Sequence, residues 1–210
     1  MAFEIREIKN EELNKKLDSF YEKSMKELIS FFEINWNRNK PNVYLIKDRK
    51  MINKLRGEIT ENWIVGWSNS DVFLLNPENF EQESNHKYSD EKYFKLLKHE
   101  LTHSFCYILN SNFKKPLWLI EGIAIYCSKQ YEDKKKPEQY LGFIDSFENL
   151  NNYTYSESGF AVKYLIDIYG KEKIFELIKK SNNNITKNKF SHLFYSIYGF
   201  ELKHENFKIL

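Results

Sequence analysis

Long hydrophobic runs are missing from this chain. No stretch of its 210 residues approaches the roughly 18 apolar positions of a membrane span, and no membrane partner is expected. The first residues, Met-Ala-Phe-Glu-Ile-Arg-Glu-Ile-Lys-Asn, lack the apolar core that a secretory leader carries after its basic residues. Cysteine is scarce: Cys106 and Cys127 make no framework of pairs. A reduced, cytoplasmic protein is the expectation. Strong charge of one sign is absent too. Charged residues make up 30% of the chain but nearly cancel, to a formal +2. So even a balance gives no long-range field for nucleic acid or anionic lipid. Internal repeats and low-complexity tails are also lacking.

What is there suits a folded core. The chain is 41% hydrophobic and 17% aromatic, which argues against disorder. Its length suits one domain, or one catalytic unit of two lobes. Apolar residues at helical spacing (Leu13, Leu17, Phe20, Tyr21, Met25, Leu28, Phe31) predict a helix over 11–32, with Asn10 as its cap. Val43-Tyr44-Leu45-Ile46 reads as a short buried strand, and a short helix is expected over 49–55. Trp63-Ile64-Val65-Gly66-Trp67 and Val72-Phe73-Leu74-Leu75 flank the turn residues Ser68-Asn69-Ser70-Asp71, a hairpin pattern ended by Pro77. Residues 82–86 are polar and read as a surface loop. Ser89, followed by Asp90 and Glu91, opens a long helix to about Leu109. Beyond Pro116, helices are expected over 117–129, 156–169, 171–180 and 188–197, with a short amphipathic segment over 140–150. Strands first and helices second suggest an α+β fold.

The long helix contains His99-Glu100-Leu101-Thr102-His103. Residues i and i+4 of a helix share a face, about 6 Å apart along the axis. Two imidazoles so placed can converge on one zinc ion, with Glu100 beside them to take a proton from water. The competing reading is a pair of ordinary hydrogen-bonding histidines on a partly buried helix. A catalytic zinc needs a third protein ligand. A histidine at 109 after a glycine at 106 would supply one solution, but Leu109 and Cys106 stand there. Glu121 lies eighteen positions past His103, between Ile120 and Gly122 in an apolar helical pattern. A glutamate is costly to bury there unless paired or metal-bound. Cys106 and Cys127 are rival thiolate ligands or small buried residues. His86, His192 and His204 lack ligand spacing and read as surface residues.

The two motifs together resemble those of gluzincin zinc peptidases, which pair H-E-x-x-H with a downstream glutamate. Trp118-Leu119-Ile120-Glu121-Gly122-Ile123-Ala124 is similar to the W-L-x-E-G-x-A of the small peptidase MA-like group. The resemblance spans about 63–177 and is strongest over 98–126. It implies a zincin-like, two-lobed fold in one domain: an α/β lobe over 1–112 and a helical lobe over 113–210. It also implies one Zn2+ per chain on His99, His103 and Glu121, Glu100 as general base, and a peptide or protein substrate.

In such peptidases an edge strand before the active-site helix pairs with extended substrate. Residues 72–75 fit that position, or else form an internal strand. A tyrosine near the later Y-x-x-S…V-x-Y-L pattern donates to the oxyanion. Tyr155 matches it, with Tyr153 as rival and a packing role as alternative. Residues 132–136 fit a lid. Departures are visible. Ile120 stands where aminopeptidases carry Asn, and Ile125 where the thermolysin branch has an aspartate that orients a histidine. A Gly-Ala-Met-Glu-Asn segment for a free amino terminus is missing, so endopeptidase action is expected. The departures also leave open a catalytically weak or inactive, zinc-stabilised domain that binds peptide or protein.

Overall fold

In a computed structural model that describes residues 11–209, seven α-helices accompany one small mixed sheet. The cap expected at Asn10 lies outside the described residues. The chain divides into two compact units, one up to Ser104 and one from Phe105. The division falls inside the long helix that carries the histidine motif. No helix among the described residues is long and apolar enough to cross a membrane.

The first unit begins with α1 (Glu11–Phe32), whose buried stripe includes Met25, Leu28 and Phe32. β1 (Val43–Ile46) leads to α2 (Arg49–Arg56), which Asp48 caps by accepting from the Met51 N–H. β2 (Gly66–Ser68) and β3 (Val72–Leu75) form a hairpin, its first strand short and shifted from the expected 63–67 so that Ser68 lies in it, and β1 pairs with β3 in parallel. The order is therefore β1-β3-β2. Among the described residues β3 is the central strand, with β1 and β2 on its two sides. Of the two readings of residues 72–75, the internal strand is the one observed.

Side chains alternate across this sheet. Tyr44, Phe73 and Trp67 stack in a row on one face, with ring centroids 5.1 and 4.9 Å apart. Gly66, Leu74 and Val72 point the other way, towards α3 (Asp90–Leu109). Arg49 ties the approach to β2 in place. Its guanidinium donates to the carbonyls of Glu61, Asn62, Ile64 and Glu83 and to the Thr60 hydroxyl. The Ser89 hydroxyl accepts from the Lys92 N–H at the start of α3, the cap expected from the sequence. Across from α3, α1 contributes Phe20 against Phe94 and Glu27 to the buried Lys98, at 2.5 Å.

The second unit is helical: α4 (Leu117–Ser128), α5 (Thr154–Tyr169), α6 (Lys171–Lys180) and α7 (Lys187–Tyr198). α4 is apolar almost all round, as a central helix must be. It packs closely on α5 because both carry a glycine at the contact. A Cβ on Gly122 would lie 2.7 Å from Val162 Cγ2, and one on Gly159 would lie 2.4 Å from Ile125 Cγ2. Asn110, just past α3, donates through Nδ2 to the carbonyls of Ile178 and Ser181 and so closes the C-terminal end of α6. Phe207 fills an aromatic core with Trp118, Tyr140, Phe143, Phe194 and Phe200.

The amphipathic segment expected over 140–150 is not a helix of that length. Only Phe143–Asp145 makes a short 3-10 turn. Tyr140, Phe143, Ile144 and Phe147 mimic helical spacing, but they are buried as anchors of an irregular segment.

Candidate metal centre

α3 places the two histidines of the motif on one face, one turn apart. Their Nε2 atoms are 3.2 Å from each other and their rings meet at 83°. Ligands of a tetrahedral zinc at 2.0–2.1 Å stand about 3.3–3.4 Å apart, so the imidazoles are already spaced as two such ligands. Glu121 comes from the second turn of α4. One ligand atom from each of His99, His103 and Glu121 lies within 4.8 Å of the others. Among the described residues this is the one group of His, Cys, Asp and Glu side chains that could hold a metal ion. His99 is buried, and His103 and Glu121 are half-buried.

The donor set fits a metal on chemical grounds as well. Two neutral imidazoles and one carboxylate make a set that zinc accepts and that leaves a fourth position open. Neither cysteine belongs to the group. Cys106 is buried, and that burial pushes its thiol up to about 12, which disfavours the thiolate a metal would require. Cys127 is buried on α4.

Glu100 is 6% exposed. Its carboxylate lies beside β2, where a Cβ on Gly66 would stand 3.2 Å from Oε1 and 3.4 Å from Cγ. The buried carboxylate and the strand approach each other closely at Gly66. The sequence pattern did not single out Gly66. Its signal was a glycine inside a strand, which often marks a close approach.

Tyr155 sits in the first turn of α5 and is half-buried. Tyr153 is 40% exposed. Its ring lies on Gly142 so closely that a Cβ there would be 2.2 Å from Cδ2. The other histidines are placed apart from the group. His86 Nε2 is 2.9 Å from the Trp63 carbonyl, and His192 is exposed. His204 departs from its surface expectation, being half-buried on Phe143 and accepting from the Ile144 N–H. Ile125, where an orienting acid would stand, is fully buried against Gly159 of α5.

Glu157 is a buried carboxylate that the motif pattern does not single out. It is 3% exposed, and its carboxylate accepts from the backbone N–H groups of Leu141, Gly142 and Phe143. Its position on the buried stripe with Ala161, Tyr164 and Leu165 is the same signal that singled out Glu121.

Comparison with protein-family models, with curated proteins and with solved structures finds no match for this chain.

Proposed function

We propose that the chain is a zinc-dependent peptidase of the gluzincin type, zincin-like in its two-lobed architecture, acting in the cytoplasm. The observation that carries this reading is the meeting of Glu121 with His99 and His103, within 4.8 Å. That glutamate lies eighteen positions after the second histidine, and local helical geometry does not bring such groups together.

A zinc ion on these three side chains would supply a Lewis acid that polarises the substrate carbonyl and acidifies water. The chain's own residues do the rest. His99, His103 and Glu121 would hold the ion. Glu100 takes a proton from the attacking water as the new C–O bond forms. It returns that proton to the amide nitrogen as the C–N bond breaks. Tyr155 is the candidate donor to the developing oxyanion, with Tyr153 as its rival.

Purified protein should carry about one zinc per chain. Glu100→Ala should keep that zinc and lose cleavage of a peptide library. A Glu100→Ala variant as active as the parent would remove the base and the mechanism with it. A second reading, a zinc-stabilised domain that binds peptide without cutting it, draws on one observation. Ile125, where an acid would steady a ligand histidine, is packed into the α4–α5 contact instead. Binding to the library with no cleavage at any zinc loading would favour that reading.

A further inference from the structure

α4 starts without a side-chain cap. Pro116 precedes it and offers no side-chain hydrogen bond. The first N–H groups of a helix need partners when buried. Here they find them outside the helix: the Leu117 N–H donates to the Phe147 carbonyl at 3.1 Å and the Trp118 N–H to Ser146 at 2.9 Å. Trp118 also sets its ring edge-on against Phe143, with centroids 5.1 Å apart. Residues 143–147 therefore act as the cap of α4, and Glu121 follows Trp118 by one helical turn.

That capping segment is irregular and owes its shape to Glu157. The Glu157 carboxylate accepts from three backbone N–H groups at 3.0–3.1 Å, those of Leu141 (shared between both oxygens), Gly142 and Phe143. Bonds from N–H groups to a buried carboxylate are roughly twice as strong as neutral ones. Two further links hold the same segment: Asn151 Nδ2 donates to the Gly142 carbonyl at 2.8 Å, and the Ser146 and Thr154 hydroxyls share a hydrogen bond.

We propose that Glu157 is a positioning residue for the metal group. It folds residues 141–147 into the cap of α4 and thereby fixes how far along its axis that helix presents Glu121. The chain of contacts is Glu157 to 141–143, then 146–147 to the first turn of α4, then Glu121. Glutamine at 157 has one acceptor oxygen and no charge: with that oxygen where Oε2 accepts from residues 141–143, its NH2 group would face the Leu141 N–H, and each remaining bond would lose its charge assistance. The segment would loosen and the carboxylate ligand would lose its fixed place. This inference rests on the zinc reading above.

The test is zinc affinity of the full chain, measured by competition with a chelator well below the unfolding temperature, with amide exchange at Leu117 and Trp118. Glu157→Gln should keep its helical circular dichroism, weaken zinc by about 10- to 100-fold, and speed exchange at both amides. Ser146→Ala, which removes the hydroxyl bond to Thr154, should weaken zinc in the same direction but less. It carries the test if Glu157→Gln does not fold. Affinity unchanged within about twofold in the folded variant, beside faster exchange at 141–143, would overturn the proposal and leave the zinc reading standing. A parent protein that takes up no zinc would sink both.

Discussion

Gly122 of α4 faces Ser158 of α5 with no space for a side chain. A Cβ at 122 would lie 2.8 Å from the Ser158 carbonyl oxygen as well as 2.7 Å from Val162 Cγ2. Backbone cannot swing aside as the end of a flexible side chain can, so the two helices would have to separate. Glu121 is the neighbouring residue, and this contact bears directly on where the candidate metal ligand sits.

Gly122→Ala should therefore destabilise the protein although alanine is the better helix former. Overpacking costs about 1–3 kcal/mol and the gain in helix propensity is about 1 kcal/mol, which leaves a net loss. Thermal unfolding reads it as a drop of a few degrees in Tm. A variant with a higher Tm than the parent would mean that the α4–α5 contact is looser than described.

Gly66→Ala tests the surroundings of Glu100. The added methyl would press on Glu100 Oε1 at 3.2 Å and on Leu74 Cδ2 at 2.8 Å. Leu74 is fully buried at the centre of the sheet and has little freedom to yield. The expected outcome is peptide hydrolysis lowered by about tenfold or more, since small misplacements of a catalytic group are costly, with zinc content unchanged. Unaltered turnover would separate Gly66 from the position of the base.

Much of this was legible in the sequence because it is local. The period of Leu13, Leu17, Phe20 and Leu28 marks α1, and the His99–His103 spacing needs only a helix to converge. The sheet order was not legible. Whether β1 pairs with β2 or β3 depends on a parallel crossover through α2, and the side-chain pattern of a four-residue strand does not encode its neighbour. Residues 140–150 misled for a related reason: apolar positions at helical spacing there serve an irregular segment that Glu157 organises from another helix. Glu121 stands out in the sequence as a carboxylate that interrupts an apolar stripe, and Glu157 interrupts the stripe of α5 in the same way.

Asp90 at the start of α3 makes stability depend on pH. Lys16, 2.9 Å away, and the Tyr88 hydroxyl hold its carboxyl below the usual value of 3.8, with the lysine the larger cause. A carboxyl whose folded-state pKa is lowered stabilises the fold above its unfolded pKa. That contribution is lost as pH falls through the folded value. The pair is half-exposed, which limits the effect at pH 7 to about 0.5 kcal/mol. Asp90→Asn should accordingly unfold at a slightly lower temperature at pH 7, and the gap should close as the pH falls below about 4. A gap that widens in acid would contradict the sign.

Metal binding itself should be visible as stability. A ligand that binds only the folded chain adds about 2.7 kcal/mol when present at 100 times its Kd. For a chain of this length each kcal/mol moves Tm by about 2–4 °C. Chelator-stripped protein should thus gain about 5–10 °C on return of zinc at that level. The gain should vanish in His103→Ala and in Glu121→Ala, because each removes a donor from a group of three. It should persist in Cys127→Ser, whose side chain lies outside that group although it is carried on the same helix. Loss of the gain in Cys127→Ser with retention in Glu121→Ala would exchange the third ligand and detach the peptidase reading from its carboxylate.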